Sequence, residues 1–324
     1  MFKTLNILNQ TNQENDKRKL NIMTFNTHER YQTQMAKTGH DFYAFNYENG
    51  KEWFPKHADM PDNYFQLPKN AVYPGIVFDL ILVHSKFGQF QTATNVNHRL
   101  QIPMVVLEHT LPHENWPESH TEQFRRMTGD TNVFITEYSK RKWGIPGEVV
   151  YHSIDTDVFK PASGEPKAQV LTVAHDFINR DYALNFKGWD RITQGLNRVV
   201  IGETEGLSQA AESVDDLVKA YQQSLVYINP STLSPVPTSM LEAMACGCAI
   251  VSTETCEIPN IIKHGENGFM SNDETELRGY VEKLLADPEL AIHLGNNARE
   301  TIKEKFSEER FINEWNTIFY GAIK

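Results

Sequence analysis

Short apolar runs, several closing on a histidine or another polar residue, alternate with stretches of helical period along most of this chain. Residues 20–25 and 42–45 read as strands, with a helix over 31–38 between them. The run 77–83 is almost continuously apolar and ends at His84, the pattern of a parallel strand buried on both faces. A helical stretch over 90–99 leads to another such strand, 103–107, which ends in Glu108 and His109. A strand over 132–135 and a helical turn over 139–143 follow. Residues 46–75 are rich in Asn, Pro and Lys without clear period and read as mostly loop. Beyond residue 160 the alternation resumes, with strands over 170–173, 198–201, 226–229 and 249–252. Helices over 214–223, 239–245 and 275–286 separate them. Such β-α-β alternation predicts an α/β protein built on doubly wound parallel sheets.

A chain of 324 residues exceeds the usual single-domain size, and its 40% hydrophobic content suffices for two cores. The segment 160–166, dense in Pro, Gly and Ser, is the expected linker, giving a first domain over 1–160 and a second over 161–305. Two doubly wound domains place a ligand in a cleft outside the carboxyl ends of their strands, where His84 and His109 both fall. The longest apolar run, 76–83, is interrupted by Asp79 and far too short to span a bilayer. The polar leader over residues 1–19 lacks the apolar core of a signal peptide, and the expectation is a cytoplasmic protein. Cys246, Cys248 and Cys256 fit a reducing compartment. No histidine or second cysteine pair stands at zinc spacing beside Cys246 and Cys248, so they read as small buried residues at a helix end. Nearly all of the net charge of −11 falls after residue 160. The basic clusters at 17–19, 125–126 and 140–142 lie before it, so a polyanionic partner would sit more easily on the first half; the alternative is ordinary solvated helix faces.

The most informative stretch is NPSTLSPVPTSMLEAMACGCAIVS, residues 229–252. A buried strand ends at Asn229, a Pro/Ser/Thr loop follows, and a helix begins near Ser239. That order aims the amides of Thr238, Ser239 and Met240 at a ligand, where the helix dipole favours an anion such as a diphosphate. Glu242 lies in the first turn, and Ser239 with Glu242 also has the spacing of a capping box. Spacing alone leaves both readings open.

The same stretch resembles the donor-site signature of retaining GT-B glycosyltransferases of family 4, the group 1 glycosyltransferases, which carry two glutamates eight residues apart. The likeness continues into Glu257-Ile-Pro, HGENGF (264–269) and LLADP (284–288), and is patchier over VFITEYS (133–139) and IDTDVFKP (154–161). The resemblance implies two Rossmann-like domains facing a cleft, the first binding acceptor and the second a nucleotide sugar. It also implies that a helix over 306–324 crosses back to the first domain; there Phe311, Trp315 and Phe319 form an apolar stripe for packing. By the same likeness Glu242 contacts the donor ribose. The first glutamate of the pair is replaced by Ser234, which implies an altered sugar or a weakened catalyst. A glycine-rich loop after the first strand is replaced by NTHERY, residues 26–31.

The family also holds the diphosphate with an arginine and a lysine. Here the matching positions are Lys187, followed by Gly188, and Arg180, displaced by one residue. His109 occupies the place of the family's histidine, which faces the donor sugar across the cleft. His28, Glu29 and Arg30 sit on the loop where the family contacts acceptor, and His84 and Glu108 are further acceptor-side candidates. The implied activity is retaining transfer of a hexose or pentose by front-face displacement. The nucleoside-diphosphate sugar is the co-substrate, with no resident cofactor and no metal. The acceptor hydroxyl belongs to a glycan or glycolipid, or alternatively to a hydroxymethylated pyrimidine in DNA, as in phage-type enzymes. Another alternative is a non-catalytic nucleotide-sugar-binding protein. A nicotinamide-dependent dehydrogenase fits poorly, because no Gly-x-Gly-x-x-Gly stands between a strand and a helix.

Overall fold

The computed structural model describes residues 18–324 except Asn49, Lys56, residues 72–74 and Glu114. Most of the polar leader, with Lys17 of the first basic cluster, lies outside the described residues. By its internal contacts the chain divides into two units, one of residues up to Val150 together with Glu309–Lys324, the other Tyr151–Glu308. The segment 160–166, read as a linker, lies inside the second unit.

The first unit is built on strands β1 (Asn21–Thr24), β2 (Asp41–Ala44), β3 (Tyr64–Gln66), β4 (Leu80–Val83), β5 (Met104–Glu108), β6 (Thr131–Phe134) and β7 (Glu148–Val149). They form one sheet in the order β3-β2-β1-β4-β5-β6-β7, and every pairing is parallel. Helices α1 (Glu29–Ala36), α2 (Gln89–Leu100), α3 (Glu118–Arg125) and α4 (Glu137–Trp143) connect them. All residues of β4 and β5 are buried, as their unbroken apolar runs require for central strands covered on both faces. The stretch 46–75, read as mostly loop, contains the three-residue edge strand β3. Only Tyr64 of that strand is buried, and Phe65 and Gln66 are exposed.

The second unit has strands β8 (Lys167–Val173), β9 (Arg198–Ile201), β10 (Ser224–Asn229), β11 (Ala249–Ser252) and β12 (Phe269–Met270), in the order β12-β11-β10-β8-β9 and again all parallel. Its helices are α5 (Asp181–Leu184), α6 (Phe186–Thr193), α7 (Val214–Gln222), α8 (Thr238–Ala245), α9 (Ile258–Ile261), α10 (Glu274–Ala286) and α11 (Pro288–Lys305). The core gathers Trp189 and Phe177 against Val226, Ile228, Leu277, Val281 and Leu294. Gly202, just past β9, has φ of +132°, and a Cβ there would stand 1.9 Å from the Ala174 carbonyl; the close pass of these two strand ends requires glycine. Cys246 and Cys248 are buried at the end of α8, and burial pushes the Cys248 thiol up to about 12.

The last helix, α12 (Glu308–Ala322), packs within the first unit. Phe311, Trp315, Ile318 and Phe319 form its buried face, confirming the stripe as packing. Trp315 donates its indole N–H to the Tyr31 hydroxyl at 3.1 Å, Asn316 Oδ1 meets His40 Nε2 at 2.8 Å, and Tyr320 donates to the Arg18 carbonyl at 3.0 Å. Each large apolar side chain so buried stabilises the unit by about 1.5–3 kcal/mol. Among the described residues no helix is long and apolar enough to cross a membrane.

Candidate functional site

Each sheet has one place where strand order reverses, and in doubly wound sheets the crevice at the carboxyl ends there is the usual ligand site. In the second unit the reversal lies between β8 and β10. The loop after β10 is fixed from both sides. The Thr232 and Leu233 amides donate to the Ala183 carbonyl of α5 at 2.9 and 3.1 Å. The hydroxyls of Thr253 and Thr255 donate to the Ser231 carbonyl at 2.5 and 3.0 Å. Arg180, the residue before α5, is thereby brought beside this loop. Its guanidinium is exposed and takes no hydrogen bond or ion pair among the described residues.

Lys187 stands in the first turn of α6. Its backbone N–H donates to Asp181 Oδ1 at 2.9 Å, and its ammonium lies 3.3 Å from Asp181 Oδ2. These contacts hold the Asp181 carboxyl below its usual range, the bond from the Lys187 amide contributing most. Asn185 caps α6 by accepting from the Gly188 amide, and a Cβ on Gly188 would lie 2.4 Å from the Asn185 side chain. The Lys-Gly pair therefore has a local reason for its glycine.

Helix α8 begins at Thr238 with Pro237 as its cap residue, so Ser239 is not the cap. Ser239 Oγ instead meets the Tyr227 hydroxyl at 2.8 Å, and the buried Glu242 accepts from the Tyr221 hydroxyl at 2.9 Å through Oε2. The capping-box reading is corrected: the letters have the right spacing but start two residues past the cap position. The Met240 amide is also taken, donating to the Pro237 carbonyl at 3.0 Å. The amides of Thr238 and Ser239 have no partner among the described residues and remain available to an anion. Ser234, half-buried in the same loop, likewise has an unengaged hydroxyl.

In the first unit the reversal lies between β1 and β4, which puts His28 and His84 at the same crevice. Gln89 ties the two loops together. Its carbonyl accepts the His84 amide at 3.1 Å and its Nε2 donates to Thr27 Oγ1 at 2.7 Å. His84 Nδ1 lies 3.4 Å from His109 Nε2, with ring planes within 14°. His28 and Tyr31 meet the His109 ring edge-on at 4.8 and 4.9 Å. Burial lowers the His84 pKa to about 3, the charge of His28 adding to the effect, so His84 is neutral at pH 7. Its Nε2 has no hydrogen-bond partner.

Glu108 is buried, which raises its pKa. Its Oε1 accepts the Thr110 amide at 2.9 Å and hydroxyl at 2.6 Å, while Oε2 is unpartnered. Glu29 is occupied differently from its acceptor-side expectation. Its carboxylate takes the Lys51 ammonium at 2.8 Å, the Phe54 amide at 3.2 Å and His57 Nδ1 at 3.2 Å, closing the loop over 51–57. Arg30 Nε donates to the His57 carbonyl of that loop at 3.4 Å. Gln89, Tyr31, Asp181 and Tyr221 were not singled out from sequence, and only the six-residue spacing of Asp181 and Lys187 offered a signal. Asp155, with the letters of an Asp-x-Asp, uses Oδ1 to accept the amides of Asp157 and Val158.

Residues 209–301 match the family model of glycosyl transferases group 1. N-acetyl-alpha-D-glucosaminyl L-malate synthase of Bacillus anthracis is 36% identical over 87 residues, covering 26% of this chain and 23% of that protein. Alpha-maltose-1-phosphate synthase of Mycolicibacterium smegmatis is 27% identical over 203 residues, 49% of this chain and 52% of that one. The chain thus spans about half or less of the length of these curated relatives. Among solved structures, HepE of Anabaena in complex with UDP and glucose superposes with a TM-score of 0.74 at 13% identity, covering 94% of this chain and 100% of that one. Sucrose-phosphate synthase of Thermosynechococcus elongatus gives 0.70 at 13% identity, covering 94% and 99%. These likenesses show a GT-B fold, two doubly wound α/β units, and the second unit is related to the group 1 glycosyl transferases over the matched residues.

Proposed function

We propose that this chain is a glycosyltransferase that moves a sugar from a nucleoside-diphosphate sugar to an acceptor hydroxyl with retention at the anomeric carbon. The observation that carries the reading is the Ala183 carbonyl bound by the Thr232 and Leu233 amides, which sets Arg180 beside the loop leading into α8. A departing nucleoside diphosphate gains negative charge as the glycosidic bond breaks. Arg180, Lys187 and the amides of Thr238 and Ser239 are the donors assigned to that charge, so the reaction is proposed to need no metal. Glu242, held by Tyr221, is assigned to the ribose hydroxyls, and Ser234 to the sugar pocket. His109 is assigned to the transfer in the first unit, with His28, His84 and Glu108 on the acceptor side.

The UDP and glucose bound by HepE make a UDP-hexose the first donor to test. A glycan or glycolipid is the proposed acceptor, ahead of DNA, and a reducing cytoplasm the proposed location. The second reading, a binding protein without turnover, is favoured by one observation, Ser234 in place of a carboxylate. A panel of nucleotide sugars, scored for nucleotide release by chromatography and for nucleotide binding by calorimetry, separates the two. Release from one donor is expected. Binding without release supports the second reading, and no binding by any nucleotide overturns both.

A further inference from the structure

Beyond the histidine pair, the first unit carries a surface group of rings that the transfer chemistry does not use. Phe87 is 50% exposed, three residues after His84. Its ring lies 4.7 Å from that of Phe124 on α3 and 6.0 Å from Trp116 in the loop after β5. Trp116, partly buried, stacks on Phe124 at 5.1 Å and on His113 at 6.3 Å, and meets the exposed His120 edge-on at 4.8 Å. The group is fastened from below. Lys86 donates to the Phe124 carbonyl at 2.9 Å and stands 4.6 Å over the Trp143 ring, while the Trp143 indole N–H donates to the Thr110 carbonyl at 2.9 Å. Thr110 follows His109 at the end of β5 and Phe87 lies three residues past His84 at the end of β4, so the rings are carried on the two loops that leave those strand ends.

We infer that Phe87 and Trp116, flanked by His113 and His120, form a platform for a neutral saccharide ring of the acceptor. The inference rests on the glycosyltransferase reading and narrows its acceptor class. A pyranose has C–H faces and a rim of hydroxyls; the exposed Phe87 ring, with Trp116 at 65° to it and the exposed His120 imidazole nearby, matches both. The local charge argues against a nucleic acid. Arg125 lies 2.5 Å from Glu118, and Arg126 lies 3.3 Å from Glu122, so the two arginines of this helix are already paired. A phosphate backbone would meet the carboxylates of Glu118 and Glu122 there, whereas a neutral saccharide meets no like charge; the basic residues 140–142 on the adjoining α4 are the reason a duplex is an arm of the test.

Saturation-transfer NMR with methyl glycosides of glucose, galactose, mannose and N-acetylglucosamine tests the platform on the full chain, with a hydroxymethylcytosine duplex in 0.15 M salt as the competing ligand. The wild type is expected to transfer signal to the C–H protons of at least one glycoside. Phe87→Ala and Trp116→Ala are expected to weaken that binding roughly tenfold, and Trp116→Phe to retain most of it. Unchanged thermal melts confirm folding, and the exposed Phe87 gives a readout even where Trp116→Ala loses structure. No transfer to any glycoside, equal transfer in both alanine variants, or duplex binding lost in those variants each overturns the platform. Calorimetry of wild type with UDP, GDP, ADP and TDP reads the donor site by itself, so a failed donor reading is told apart from a failed platform.

Discussion

Lys187 and Asp181 are joined twice, the carboxylate accepting the lysine's own backbone N–H at 2.9 Å through one oxygen and meeting its ammonium at 3.3 Å through the other. The lysine proposed to bind the diphosphate is thus paired locally, while Arg180 is unengaged. The bridge itself is exposed, with 74% of the lysine side chain accessible, and contributes little to stability. Arg180→Ala and Lys187→Ala are each expected to lower kcat/KM for sugar transfer by about 2–4 kcal/mol of transition-state stabilisation. Asp181→Ala should cost less, because it frees the ammonium without removing it. Steady-state kinetics on the three variants check this ordering; wild-type rates in Lys187→Ala would remove that residue from the site.

Glu242 sits too far into α8 to cap it, so its loss should not act through the helix end. Glu242→Gln is expected to weaken nucleotide binding with little change in Tm, since glutamine can still accept from Tyr221. Tyr221→Phe leaves a buried carboxylate short of one donor and should lower stability by about 1–3 kcal/mol. Calorimetry and thermal melts on the same preparations read the two effects. A large fall in Tm with intact binding in Glu242→Gln would return the residue to a structural role.

His84 predicts a pH dependence of stability with a definite sign. Its folded pKa, about 3, lies below the unfolded value of about 6.5, so between them the unfolded chain binds the proton and the folded chain does not. Its contribution is therefore complete above pH 6.5 and is lost as pH falls toward 3. At pH 5 the loss amounts to about 2 kcal/mol. Urea denaturation at pH 7, 6 and 5 should show a flatter slope in His84→Gln than in wild type, and parallel slopes would contradict the assignment.

Ser234→Glu restores a carboxylate where the resemblance implies one. The half-buried serine has an unengaged hydroxyl, so the larger side chain should act on the sugar and not on the base. The donor ranking is expected to change while affinity for the bare nucleoside diphosphate stays within about threefold, well under 1.4 kcal/mol. Transfer in both enzymes should survive EDTA. An unaltered ranking, or activity abolished by chelation, would overturn the account of this pocket.

The strands over 198–201 and 249–252 are legible to the residue: the second is a fully buried inner strand, and the first, although at the sheet edge, still carries the β-branched run Val199-Val200-Ile201. Edge strand β3 was not: Tyr-Phe-Gln carries no alternation when its neighbours are loop and two of its three residues are exposed. Helices α5 and α6 are not legible in this way, because Asn185, at φ of +55°, breaks one helical stretch into two short ones. In the candidate site, the residues singled out at strand ends fall at the carboxyl ends of the two sheets, where the strand order reverses. What sequence left open was hydrogen-bond partnership. Serine and glutamate three apart suit a capping box, but Tyr227 and Tyr221, far away in sequence, compete for both side chains. Glu29 shows the same limit, since Lys51 and His57 claim a carboxylate that the resemblance places on the acceptor side.

The first unit is discontinuous: its sheet is complete by Val150, but Trp315 and Phe319 reach it only after the whole second unit has intervened. During synthesis the ribosome therefore delivers a sheet whose Tyr31, His40 and Phe42 await a cover that does not yet exist. The second unit, drawn from one continuous stretch, has no such delay and can mature first, against the usual order in which earlier domains finish earlier. In the interval an exposed aromatic face is open to chaperones or to the same face on another nascent chain. Residues 309–324 supplied separately as a peptide are then expected to rescue a chain lacking them, with restored thermal stability of the first unit as the readout.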